Sequence, residues 1–223
     1  MKSPLLIYGN GNMARMLYEF LKQQFEVIAF TVDDACINST HFCGLPLAPF
    51  STVERRYSPK EHCMIIAVGF IAMNKIRDDK YREAKEKGYK FANYIHPTVV
   101  RHDTVTFGEN NIVLDYASIH PYCSLGNSNF ISSMTNLGHD CVVGNSCWIN
   151  SGVSLAGEVK LNDNCFLGVN VAISHRVSLG SRNFIGANTL VNKDTDEDTV
   201  LLSDGGEKFP LTSEAFIKFT KMI

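Results

Sequence analysis

The sequence predicts two joined architectures. An α/β unit of βαβ type comes first, then a solenoid of short stacked parallel strands, with a short helix at the end. Three observations predict this. Every sixth residue from Phe107 to Val191 is large and apolar, running through Val113, Ile119 and Leu125 to Leu179 and Ile185 without a slip. Two residues before each lies a mostly small one, as in Ala117, Cys123, Thr135, Cys141, Cys147 and Val153. A strand, a glycine turn and a helical pattern open the chain. The chain is 45% hydrophobic, so 15 successive hits would arise by chance about six times in a million.

The N-terminal elements follow in order. Residues 3–8 read as a buried strand. Gly9-Asn10-Gly11-Asn12-Met13-Ala14 matches G-x-G-x-x-A and leads into a helix through Leu17, Phe20 and Leu21. Backbone N–H groups at such a turn, together with a helix N-terminus, favour a phosphate. The alternative is a tight turn with no ligand. A second strand, 26–31, ends near Asp33 and Asp34, where acids commonly meet a ribose hydroxyl or a base; a solvated turn is the plainer reading. A third strand, 63–68, ends at Gly69. A helix from Asn74 to Lys87 is stopped by Gly88. A fourth strand, 89–95, and His96-Pro97 close the unit. This is half of a dinucleotide-binding fold, better suited to a mononucleotide-linked ligand than to NAD.

A period of six is neither the 3.6 of a helix nor the two of a strand, but it preserves alternation. Gly108, Gly126, Gly138, Gly144, Gly168, Gly180 and Gly186 each follow a large residue, and glycine there lets the chain turn at positive φ. Such repeats bury a face only by stacking. After Val191 the polar run 192–198 reads as a loop leaving the solenoid. Residues 200–202 read as one more strand, and 213–221 as a short helix covering the end. The expected divisions are 1–96, 97–202 and 203–223.

Composition narrows the function. The net charge is −2 and 20% of residues are charged, which suggests neither a nucleic-acid nor a membrane surface. The first residues hold too short an apolar run for a signal peptide or a span, so a cytoplasmic location is expected. Of seven cysteines, Cys123, Cys141, Cys147 and Cys165 fall in the small inward column. Their spacing is that of the repeat, so they read as reduced core residues rather than zinc ligands, and no metal is expected.

Residues 18 apart stack in one column, and His139, Gly157 and His175 share one. A histidine beside a bare glycine offers a base and an exposed N–H able to hold an oxyanion, two parts of an acyl-transfer site. The plainer reading is a surface histidine at a turn.

The segment Asn136-Leu137-Gly138-His139-Asp140-Cys141-Val142-Val143-Gly144 resembles the His-(Asp/Glu)-x-x-Ile-Gly signature of hexapeptide-repeat sugar-nucleotide acyltransferases of the PglD/NeuD kind, with Val143 in the Ile place. The Gly9–Gly11 loop, Asp33-Asp34, Ala67-Val68-Gly69 and Tyr94-Ile95-His96-Pro97 follow in the same order, to about residue 202. The resemblance implies a left-handed parallel β-helix; general handedness rules favour the right. It implies an acetyl-CoA-dependent N-acetyltransferase acting on a nucleotide-linked amino sugar, as a homotrimer with sites between subunits. His139 would be the general base, Asp140 its orienting partner and the Gly157 N–H the oxyanion donor. CoA would run along Gly157, Gly168, Val169, Gly186 and Ala187, with Trp148 near its acyl end or packing only. The nucleotide sugar would meet Gly9, Asn10, Gly11, Asn12, Asp33, Asp34, Gly69 and Asn136. The chain departs from the family at Met13 and Trp148, where histidines are common, and in the tail at 203–208. Other readings stay open: a sugar O-acetyltransferase acting on sialic acid or a polysaccharide precursor, a non-catalytic trimeric scaffold, and an NAD-dependent oxidoreductase, against which the small first domain argues.

Overall fold

A computed structural model describes residues 4–220. The N-terminal domain holds β1 (Pro4–Tyr8), α1 (Asn12–Gln24), β2 (Glu26–Val32), β3 (His41–Phe42), β4 (Leu45–Pro49), α2 (Val53–Arg56), β5 (Cys63–Ile66), α3 (Lys75–Glu86) and β6 (Lys90–Phe91). The sheet order is β3-β4-β2-β1-β5-β6, parallel except for the β3–β4 pair. Leu5, Leu6 and Ile7 in central β1 are wholly buried, as a continuous apolar run in a covered parallel sheet requires. The sequence signals miss β3 and β4 because Pro46 and Pro49 interrupt the strand pattern, and proline belongs at sheet margins. Cys43 and Gly44, both at positive φ, make the two-residue turn between them.

A left-handed parallel β-helix follows. It has three faces of two-residue strands, each pairing with strands 18 residues away. One face, called here the seam face, carries Ile112–Val113, Phe130–Ile131, Trp148–Ile149, Phe166–Leu167 and Phe184–Ile185. The second includes Asn136–Leu137, Ser154–Leu155 and Ala172–Ile173, and the third Val142–Val143, Lys160–Leu161 and Ser178–Leu179. The large and small inward columns interlock in one core. Each of the four inward cysteines donates its thiol to a carbonyl at the same corner one rung up, as Cys123 does to Gly138 O at 2.9 Å.

The structure corrects several expectations. The strand read at 89–95 divides: Lys90–Phe91 extends the first sheet, whereas Tyr94–Ile95 already pairs with Ile112–Val113 in the solenoid. The β-helix thus begins before Phe107. Its lowest rung was hidden because Arg101 occupies a large inward position; it is exposed at the open end, with its guanidinium 5.9 Å from the Phe107 ring centre. The polar run after Val191 does not leave the solenoid. Thr195 bridges to Leu179, and Val200–Leu201 pairs with Phe184–Ile185, an offset of 16 residues instead of 18. The glycines after the large residues are not at positive φ. Left-handed conformation falls two positions later, mostly on non-glycines such as Tyr122, Asp140, Glu158 and Arg176. The glycines serve stacking: a Cβ on Gly126 would lie 2.7 Å from the Gly144 carbonyl oxygen. The C-terminal helix, α4 (Ser213–Thr220), buries no residue and does not cover the solenoid end; Lys221 lies outside the described residues.

The two domains share a core. The outward side chains of the seam face, Tyr94, Ile112, Phe130, Trp148 and Phe166, cluster with Leu5, Ile7, Leu17 and Ile65. Arg77 on α3 is 2% exposed and donates through Nη2 to the Ser146 and Cys147 carbonyls at 2.7 and 3.0 Å. Burial pushes its guanidinium down to about 10. Asn74 donates to the Asn164 and Cys165 carbonyls one rung up. Because α3 grips two successive rungs, the first domain is fixed on the seam face.

Candidate active site

His139 stands at the corner between the second and third faces, the vertex opposite the seam face. Its Nδ1 lies 2.8 Å from Asp140 Oδ2. The local chain sets this up: Asp140 takes the left-handed conformation at the corner, and its N–H donates to the Pro121 carbonyl one rung below. Both side chains are about half exposed, 55% and 51%, so a substrate can reach them. With Nδ1 engaged, Nε2 is the nitrogen left for a substrate proton.

Gly157 lies one rung above. A Cβ there would fall within 2.7 Å of His139 Cε1 and 2.9 Å of Cδ2, and nearest of all to Nε2. The imidazole therefore occupies the space that a side chain at 157 would take. The carbonyl of His139 accepts from the Glu158 N–H, and that of Gly157 from the Arg176 N–H. The Gly157 N–H has no acceptor among the described residues. A base and an unengaged backbone donor thus meet at one vertex, which is the minimum an acyl transfer needs.

Around this vertex lie charges with fixed partners. Arg176 gives Glu158 two hydrogen bonds, 2.9 and 3.1 Å. The Arg176 guanidinium holds the Glu158 carboxyl below the usual range. Asp140, Glu158, Lys160, Arg176 and Ser178 line a depression of about 520 Å³.

The residues expected on CoA divide. Gly168, Val169, Gly186 and Ala187 sit together at the corner between the seam and second faces, and the Val169 and Ala187 N–H groups have no acceptor among the described residues. With Gly157 they flank the second face from its two corners. Trp148 is placed elsewhere. It is 7% exposed, stacks on Phe130 at 4.1 Å, and lies under Arg77 with Nε1 donating to Asn150. Its packing reading accounts for this position, and the expected CoA contact is corrected: an indole covered by the first domain has no open side for a cofactor. Asn136 faces outward on the second face between Ser118 and Ser154.

In the N-terminal domain, Gly9, Asn10, Gly11, Asn12, Asp33 and Gly69 line one cavity of about 460 Å³ together with Tyr8 and Met13. Gly9 has φ +131°, and a Cβ there would lie 2.8 Å from the Ala67 carbonyl oxygen. Asn10 ties the loop to the turn after β2 through the Cys36 carbonyl, 2.9 Å. Gly11 caps α1 with no side-chain bond, which leaves first-turn N–H groups open to an anion. Asp33 pairs with Lys80 Nζ at 2.9 Å. Burial and the adjacent Asp33 carboxylate push the Tyr8 phenol well above its ordinary range. Asp34 is not in this cavity: it accepts from the Ser51 hydroxyl and N–H at 2.6 and 3.3 Å, bonds that hold its carboxyl below the usual range. The contact the structure gives it is with Ser51, outside the cavity that Asp33 lines. Lys80 escapes sequence reasoning because only the packing of α3 brings it to Asp33. The Glu158–Arg176 pair was readable, since Asp140, Glu158 and Arg176 are 18 residues apart.

The class defined by this fold is a β-helix protein with an N-terminal α/β domain, and comparison with known proteins agrees. Residues 4–84 match the family model of the PglD N-terminal domain. Among solved structures, the acetyltransferase domain of PglB from Neisseria gonorrhoeae is 19% identical, with a TM-score of 0.79, over 90% of this chain and 96% of that one. PerB from Caulobacter crescentus, solved with CoA and GDP-perosamine, is 24% identical with a TM-score of 0.78, over 90% and 94%. WeeI from Acinetobacter baumannii is 18% identical with a TM-score of 0.66, over 90% and 97%. At these identities the likeness establishes the shared fold across both domains. The curated proteins give no match. Among the described residues, no helix is long and apolar enough to cross a membrane.

Proposed function

We propose that this protein is an acetyl-CoA-dependent N-acetyltransferase acting on the amino group of a nucleotide-linked amino sugar. The observation that carries the proposal is the vertex: His139 Nε2 against side-chain-free Gly157, with an unengaged N–H beside it. In this reading Nε2 removes a proton from the acceptor amine as it attacks the thioester carbonyl. Asp140 holds the ring through Nδ1 and stabilises the imidazolium that forms. The Gly157 N–H takes the developing oxyanion. CoA runs along the second face toward Gly168, Val169, Gly186 and Ala187. The nucleotide rests on the Gly9–Asn12 turn beside Asp33.

The fold adds a requirement. The first domain covers the seam face, whereas His139 is at the opposite vertex, with the prism between them. A sugar held by one copy's cavity meets the His139 of a neighbouring copy, which supports a homotrimer with sites between subunits. The similar structures include an acetyltransferase domain and PerB in complex with CoA and GDP-perosamine; these support the substrate class. Thiol release from acetyl-CoA, measured with UDP-, dTDP- and GDP-linked amino sugars and their hydroxyl analogues, tests the reading. Turnover with an amino sugar that H139A loses supports it. Release only with the hydroxyl analogues would instead assign an O-acetyltransferase, and no release with any acceptor would remove the reading.

A further inference from the structure

The column holding His139 contains a second imidazole that the acyl-transfer reading leaves unused. His175 lies two rungs above, with Gly157 between. Stacked strands are spaced by roughly 4.8 Å, so two rungs separate the backbones by roughly 9.6 Å. The ring centres are only 6.2 Å apart. The two rings lean toward each other across the bare glycine.

Each ring has its own carboxylate. His139 Nδ1 is on Asp140. His175 Nε2 is 3.5 Å from Glu158 Oε1, and Glu158 is itself fixed by two hydrogen bonds from Arg176. His175 is 49% exposed. The charged groups about it are Glu158, Arg176, His139 and Asp140, with Lys160 in the neighbouring depression. Lys193 and Asp194 lie at the turn above, which is two residues short of a full hexad.

We propose that His175, held by Glu158, is a second catalytic residue of this vertex and donates the proton that the departing CoA thiolate takes up. The inference rests on the acyl-transfer reading above. In the step, the acceptor nitrogen forms a bond to the acetyl carbon and its proton goes to His139 Nε2. The carbon–sulfur bond breaks, and the sulfur takes a proton from the His175 imidazolium. Solvent then carries a proton from His139 to His175, which restores both rings. The overall change is amine plus thioester to amide plus thiol, with no other reactant. Two imidazoles divide the work that one would otherwise do in turn, and the Gly157 N–H lies between them where the oxyanion forms.

The experiment compares wild type, H175Q, H175A, E158Q and H139A by thiol release with acetyl-CoA and the acceptor found active above, across pH 5.5–9.5. Loss of a general acid removes roughly 10²-fold from kcat. The expected results are a kcat loss of that order in H175Q with KM values for both substrates unchanged, disappearance of the alkaline limb of the kcat profile, and a smaller loss in E158Q. Added imidazole should restore H175A in proportion to its protonated fraction. In H139A the acid limb should be the one affected. An H175Q enzyme within threefold of wild-type kcat overturns the role of His175 alone. So does a loss that is uniform across pH and accompanied by a raised KM. A wild-type protein that releases no thiol with any acceptor overturns both this inference and the reading beneath it.

Discussion

Replacing Gly157 by alanine tests the vertex most directly. The glycine is not at positive φ, so the backbone accepts an alanine. The space does not: the new methyl carbon would sit 2.7 and 2.9 Å from two His139 ring carbons, against an ordinary carbon–carbon contact of about 3.5–4.0 Å. The ring must swing away, and its hydrogen bond to Asp140 goes with it. The methyl also crowds the N–H that would meet the oxyanion, and losing one such donor costs about 10²–10³ in kcat. The expected outcome for G157A is a fall in kcat of about 10²–10³-fold in the thiol-release assay. Stability should stay within about 0.5 kcal/mol, because the displaced imidazole is half exposed. A G157A enzyme that keeps a third or more of wild-type kcat would refute the geometry, since a displaced base and a crowded donor could not sustain it.

Three further outcomes follow from the domain contacts and the first-domain loop. W148A removes the indole from between Phe130, Phe70 and Arg77, and denaturant unfolding should show a loss of about 3–5 kcal/mol; a loss under 1 kcal/mol would mean that the seam is loosely packed. G9A forces a side chain onto φ +131° and against the Ala67 carbonyl, which should cost about 1–3 kcal/mol and abolish nucleotide binding by calorimetry. The third concerns Glu109, which accepts from Lys85 and Tyr81 of α3. Burial alone would raise its carboxyl, but those two donors hold it below the ordinary value of 4.5. A depressed folded pKa means that the contribution is complete above the ordinary value and is lost as pH falls through the folded one. The unfolding free energy of E109Q, from denaturant titrations at each pH, should therefore fall less than that of wild type as pH drops below about 4.5; superimposable pH dependences would remove Glu109 from the contact between the domains.

Legibility differed sharply between positions. The inward columns were readable because stacking repeats the same demand every six residues, and Leu137, Leu155 and Ile173 meet it in register. His139, Asp140 and Gly157 were readable for the same reason. Trp148 was misplaced because the six-residue repeat says nothing about which outward face is covered. An 18-residue column of outward Tyr94, Ile112, Phe130, Trp148, Phe166 and Phe184 carried that signal, whereas the matching columns on the other faces hold Ser118, Asn136 and Ser154, or Ser124 and Lys160. Arg101 hid the lowest rung, since an end coil has one face open to water and tolerates a charge. Asp33 and Asp34 are adjacent and chemically alike, yet one lines the cavity and the other bonds Ser51; nothing local separates them.

By itself, the sequence determined the prism and which side chains gather at its corners, because in a solenoid sequence distance converts directly into spatial distance. Residues 18 apart must be neighbours, whatever the rest of the chain does. The tertiary structure alone decided how the first domain is seated, and with it the burial of Trp148, the pairing of Lys80 with Asp33 and the placing of the first-domain cavity across the prism from His139. Those relations depend on α3 gripping Ser146, Cys147, Asn164 and Cys165. Contacts of that kind join residues about 70 to 90 positions apart, and no repeat links them.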